Sequence, residues 1–387
     1  MLHQFSLGNR SIIRNVLFAA IAVFSIAIAI YLYKFNGQIT GFFRIGDAIP
    51  LSPYLEGQKF FLHSGKVGND GQQFLSIALD PLLQNQGTLA ALDNPTYRYR
   101  RILYPLLGYI LGFGSPRWIP FALVGINCLC IVLIVYVMGL ILQSQHQKSW
   151  RSLFTLCIPS VWMVLSVSTA DLLSGLLLVT TIFFYQTERP FYASLTLALA
   201  CMTRETMLML WLAIAIASVM DRKGKQLLYL PLAVVPIGLW NFSILQRFPL
   251  LSDNSPSVAR HFSYPFVGIL EKISAFSQAG LTSINLFDIY LFALLIAAFT
   301  LINLSLKHGW QHLEVVLITS WLYGALFLIS KMQILGHFVD YSRVYIDIYF
   351  LLLISIIQKP NIPKEIIFFL GGLGSITYIL AFALEKV

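Results

Sequence analysis

Apolar runs recur along the whole chain, separated by short polar corners. They fall at residues 15–33, 118–142, 152–168, 171–187, 190–202, 206–220, 226–246, 286–306, 312–331, 344–357 and 365–384. Repeated apolar stretches of about 20 residues with few charges mark transmembrane helices. Period-2 alternation with regular turn signals, the mark of a membrane barrel, does not recur. The pattern predicts an all-α polytopic membrane protein: one transmembrane domain over residues 1–387, with about eleven transmembrane helices. The first run, Asn15 to Tyr33, is too long for a signal-peptide core and no small-x-small cleavage site follows it, so it reads as a retained helix. The apolar piece 102–113 is too short to span and ends at Gly114-Ser115-Pro116, which makes it interfacial or re-entrant.

Composition agrees: the 387 residues are 57% hydrophobic and only 11% charged, against roughly 25% charged in a soluble domain. The net charge of +9 needs no nucleic-acid partner, because the positive-inside rule accounts for most of it. With the N-terminus in the cytoplasm, the short inner loops collect Arg10, Arg14, Lys148, Arg151, Arg189, Arg222, Lys223 and Lys225, and further lysines near the C-terminus. Most acids then fall on the outer side, and the C-terminus is extracytoplasmic. The four cysteines, Cys128, Cys130, Cys157 and Cys201, lie in apolar runs with no C-x-x-C spacing and read as core residues.

This topology leaves one long loop, 34–117, on the outer face, and long loops in compact proteins are commonly functional. Its stretch Gly68 to Pro105 interleaves Asp70, Asp80 and Asp93 with Arg98, Arg100 and Arg101 and with Tyr97, Tyr99 and Tyr104. Asp70 stands in G-N-D-G, where the glycines permit a close backbone approach or a positive φ, and a carboxylate so presented can serve as a base. The same tetrapeptide also makes an ordinary turn. Phe74 to Leu83 reads as a short amphipathic helix lying on the outer bilayer surface. Asp80, before Pro81, reads as a cap or turn acid. The Tyr97–Arg101 patch suits a phosphate, which arginine grips through its planar fork, or anionic headgroups in general. The same face receives the corners holding Asp171, Arg204 and Glu205, the 247–285 loop with Arg260 and His261, and the turn with His337, Asp340 and Arg343. Ionisable groups close to membrane depth are costly and mark functional sites by default. No H-x-x-H or H-E-x-x-H spacing supports a metal site, and no Walker, dinucleotide or G-x-S-x-G motif is present.

The run "DGQQFLSIALDP" followed by "LDNPTYRYRRILYPLL" behind a first helix resembles bacterial polytopic glycosyltransferases of the GT-C superfamily, over roughly residues 68–108. More loosely it is similar to the mannosyltransferases of glycosylphosphatidylinositol assembly. The chain departs from that pattern at Asn69, where an aromatic residue is common, and at Gln72-Gln73. The resemblance implies a bacterial inner-membrane enzyme whose first extracytoplasmic loop packs as membrane-parallel helices and carries the essential acid, which falls on Asp70. It implies a polyprenyl-phosphate sugar as donor, a lipid or glycan acceptor, membrane lipids as surroundings, no cofactor, and transfer that is metal-independent or weakly metal-assisted. The expected phosphate and substrate contacts are Arg98, Arg100, Arg101, Arg204 and Arg343, with Tyr97, Asp171, Glu205, Arg260, His261 and Asp340 around them. A transporter or flippase of lipid-linked substrates and a catalytically degenerate lipid-binding scaffold are the alternatives.

Overall fold

The computed structural model describes residues 2–247, 261–305, 314–355 and 365–384. Among them the chain is helix almost throughout. The extended structure among them is a parallel pair, Ile45–Gly46 beside Leu62–His63, and a single bridge between Phe262 and Ser330; the rest is turn and loop, much of it in 44–69 and 80–94. A helix stands at each of the eleven expected places. Five of them, Arg10–Lys34, Ile119–Ser144, Gly224–Arg247, Ser283–Leu304 and Glu365–Ala383, are long and apolar enough to cross a membrane unaided. A sixth crossing needs Ser149–Cys157 and Pro159–Val167 taken together, bent by 56°. The bend falls at Ile158, which precedes a proline and is extended (φ −90°, ψ 113°). The others, such as Asp171–Gln186 and Ile346–Ser355, have 10–17 residues. At 1.5 Å per residue they reach about 15–25 Å, short of the roughly 30 Å hydrocarbon core. Among the described residues, five helices, or six with the bent pair, are long and apolar enough to cross.

The first and last helices run parallel. Near their starts, Asn15 donates to the Ser149 carbonyl at 2.9 Å and Arg151 pairs with Glu365 at 2.5 Å. At their ends, Lys34 donates to the Phe382 carbonyl. They finish at the end of the bundle where the 34–117 segment begins.

That segment folds into the protein rather than onto a surface. In place of the helix Phe74–Leu83 expected on the bilayer surface stands the helix Asp70–Leu79, which is buried at every residue from Gly71 to Leu79 and packs on the helices Leu103–Leu111 and Ile119–Ser144. Its polar positions can go inside because each finds a partner. Gln72 accepts from the Gly46 N–H at 2.9 Å and donates to its carbonyl at 3.2 Å, and Ser76 donates to the Gln72 carbonyl at 2.9 Å. Gln73 accepts from the Asp93 N–H at 3.1 Å. The two glutamines that depart from the GT-C pattern thus have structural work here. Gly71 is required by proximity: a Cβ there would lie 2.1 Å from the Val167 carbonyl oxygen. The helix stops at Asp80-Pro81. Asp80 is the expected cap, accepting from the Gln84 and Asn85 N–H groups at 2.7 and 2.9 Å and from the Thr88 hydroxyl at 2.8 Å. The cysteines are all free, with Cys128, Cys130 and Cys201 buried.

Candidate active site: an ionic cluster at one end of the bundle

Asp70 is the first residue of its helix, behind the N-cap Asn69. A carboxylate in this position is favoured by the helix dipole. It is gripped from both sides: Arg98 Nη1 lies 2.8 Å from Oδ1 and Arg343 Nη2 lies 3.0 Å from Oδ2. Arg98 is itself fixed by a two-pronged contact to Asp93, Nε to Oδ1 at 2.8 Å and Nη2 to Oδ2 at 2.7 Å. Arg343 also reaches Asp340 at 3.1 Å. Burial raises the proton affinity of Asp70, but Arg98 and then Arg343 more than offset it, and the carboxyl is held well below the usual carboxylate range. An apolar frame alone would tune the proton affinity of the acid upward. The flanking cations decide the sign.

Two further groups complete the cluster. Arg101 pairs with Glu205 at 2.9 Å, donates to the Tyr97 hydroxyl, and stacks over the Tyr97 ring at 4.5 Å. Arg204, 4% exposed, lies 3.2 Å from Asp171 and 3.4 Å from the fully buried Asp347. It also donates to the Val344 carbonyl at 3.1 Å. Thr169 holds Asp171 at 2.6 Å, and the Tyr323 hydroxyl holds Asp347 at 2.7 Å. The groups interact across their gaps: Arg101 acts on Asp70, and Asp171 on Arg343.

Asp70, Arg98, Arg101, Tyr97, Asp171, Arg204, Glu205, Asp340 and Arg343 therefore meet, from four separate pieces of the chain. Arg100 stands beside them with no ion pair among the described residues, its charge acting on Glu205. His261 is seated next to the Phe262–Ser330 bridge, where its carbonyl accepts from the Lys331 N–H at 3.0 Å. Arg260 lies outside the described residues. Sequence reasoning missed Asp347 and Tyr323, which sit inside apolar runs. An acid within such a run was itself a signal.

The donor set of Arg343 is incomplete. Arg343 is 5% exposed, yet its Nε and Nη1 have no hydrogen-bond acceptor among the described residues. A buried donor left unsatisfied costs about 1–3 kcal/mol, more when charged. A guanidinium with an open edge beside a carboxylate can accept an anion. No group of three or more His, Cys, Asp or Glu side chains that could hold a metal ion occurs among the described residues.

Fold and site together define a helical membrane protein carrying a buried ionic cluster at one end of its bundle. Compared with protein-family models, with curated proteins and with solved structures, the chain matches none.

Proposed function

We propose that this protein is a membrane glycosyltransferase that moves a sugar from a polyprenyl-phosphate donor to a lipid or glycan acceptor on the extracytoplasmic face of a bacterial inner membrane. The observation that carries the reading is the pairing at Asp70: a carboxylate between two arginines, one of which has an open, buried donor edge. The donor's phosphate would take the Nε and Nη1 edge of Arg343. Its negative charge would draw Arg343 from Asp70 and raise the proton affinity of the carboxylate. The acceptor oxygen would then attack the anomeric carbon as its proton passes to Asp70. The bond from that carbon to the phosphate oxygen breaks, and the phosphate leaves with the electron pair. Arg343 and Arg98 would stabilise that charge. One carboxylate base suffices, because a departing phosphate needs little protonation.

A second reading, a lipid-binding scaffold without turnover, is favoured by one feature: both oxygens of Asp70 are already committed to arginines. A transfer assay separates the two. The purified chain in proteoliposomes with radiolabelled polyprenyl-phosphate hexose or pentose should release polyprenyl phosphate and label an acceptor. Donor binding without release, across both sugar classes, favours the scaffold.

The sidedness is tested independently. Cysteines placed at the exposed positions Ser64 and Gly224 should react with an impermeant thiol reagent in opposite ways in intact cells, Ser64 labelled and Gly224 protected. Equal labelling would remove the extracytoplasmic assignment.

A further inference from the structure

The helix Val267–Gln278 is built inside out for a protein in water. Its one basic residue, Lys272, is turned inward and only 2% exposed, while Leu270 and Ile273 are turned outward, 63% and 53% exposed. Specific contacts fix the inward turn. Lys272 Nζ lies 2.7 Å from Asp288 Oδ2 and donates to the Gly336 carbonyl at 2.8 Å. Tyr341, two residues before Arg343, donates to the same Asp288 at 2.8 Å. One turn before Lys272, a Cβ at Gly268 would lie 2.0 Å from the Ser330 carbonyl oxygen, so the backbone itself rests on that residue. Ser330 follows the helix Glu314–Ile329, and Asp288 lies in the second turn of Ser283–Ser305. The helix therefore reaches from the end of one apolar helix to the start of another.

At about 3.6 residues per turn it has three faces. Gly268 and Lys272 face the protein, with Ile269 and Phe276 half-buried beside them. Leu270, Ile273 and Ser277 form one exposed stripe, and Glu271, Ser274 and Gln278 form a second exposed stripe next to it. The first stripe suits an apolar medium, because the Ser277 hydroxyl donates back to the Ser274 carbonyl at 2.7 Å. Apolar exposure continues along the chain on both sides, at the N-cap Phe266 and at Leu281 and Ile284. Ile284 already belongs to Ser283–Leu304, which is long and apolar enough to cross a membrane. A helix with an apolar stripe beside a polar one lies in the boundary between headgroups and acyl chains. An exposed apolar stripe leading directly into a membrane span is covered by the same lipid as that span. We infer that Val267–Gln278 lies along the bilayer surface, with Leu270 and Ile273 against the acyl chains and Glu271 and Gln278 among headgroups and water.

A spin-label scan in lipid tests this placement without any catalytic readout. Full-length protein carrying Cys157→Ser is reconstituted into phosphatidylcholine–phosphatidylglycerol vesicles; Cys128, Cys130 and Cys201 are buried. Labels are attached at Leu270→Cys, Glu271→Cys, Ile273→Cys and Gln278→Cys, one at a time. All four positions are exposed, so the changes leave the packed core untouched. At positions 270 and 273, relaxation by oxygen, which concentrates in hydrocarbon, should exceed relaxation by a water-soluble nickel chelate several-fold. At positions 271 and 278 the order should reverse. A second measurement needs no cysteine change: benzoylphenylalanine in place of Leu270 should photo-crosslink to lipid in the otherwise native chain. Nickel access at 270 and 273 equal to that at 271 would put the stripe in water. Low access of both reagents, or crosslinking to a second copy in place of lipid, would put protein over it. Either result overturns the inference.

Discussion

Asp70→Asn is expected to reduce glycosyl transfer by about 100-fold or more, the usual contribution of a general base, while the protein still folds. Folding should survive because neither arginine is left without an acid: Arg98 keeps Asp93 and Arg343 keeps Asp340. The pH dependence carries a second, sharper expectation. In the resting protein the Asp70 proton affinity is depressed, so its carboxylate stays ionised through the neutral and mildly acidic range. The profile of kcat/KM, which reports the free enzyme, should show no acid limb in the ordinary carboxylate range. The profile of kcat reports the complex, and its limb should move upward if bound phosphate draws Arg343 away. The same depression sets the sign for stability. The contribution of the Asp70 pairs is complete above the usual carboxylate value and is lost only as pH falls through the lower folded value. Acidification to about pH 5 should therefore leave it intact. Turnover by Asp70→Asn within a few-fold of the parent protein would end the catalytic assignment. A kcat/KM limb near neutrality that vanishes in this variant would contradict the ion-paired resting state.

The largest stability effect should come from Arg204→Leu. Arg204 is the cation between Asp171 and Asp347, and all three side chains are buried. Leucine fills part of the space but leaves two buried carboxylates whose remaining hydrogen-bond donors, Thr169 and Tyr323, are neutral. Removing one member of a buried ionic group typically costs about 3–5 kcal/mol. The loss should appear as a large drop in the thermal unfolding midpoint of the protein in detergent. Adding Asp347→Asn should recover part of it, because one unpaired charge is then removed. An unchanged midpoint for Arg204→Leu would mean that the carboxylates are stabilised by something other than this guanidinium.

Arg204 also shows where reading the chain stops. A charged residue at the corner between two apolar runs was visible, and a charge near membrane depth needs a partner. The neighbouring Glu205 and the nearby Asp171 were equally eligible. The structure divides them: Arg204 turns to Asp171 and Asp347, and Glu205 turns to Arg101. The backbone at Arg204 is extended, with φ −152° and ψ 135°, between the helix Pro190–Thr203 and the 3-10 turn Glu205–Met207.

What the sequence by itself determined is the helical membrane class, the positions of the helices, the capping role of Asp80 and the gathering of Asp70, Arg98, Arg101, Asp171, Arg204 and Arg343 at one end. These follow from hydrophobic periodicity and from the cost of charge in lipid, which act locally along the chain. Only the tertiary structure decided that the Asp70 helix is buried, that Asp70 is pinned by arginines 28 and 273 residues away, and that its proton affinity falls instead of rising. Burial and pairing are sums over neighbours brought in from distant segments, and the sign of a carboxylate's shift depends on whether those neighbours are hydrocarbon or guanidinium.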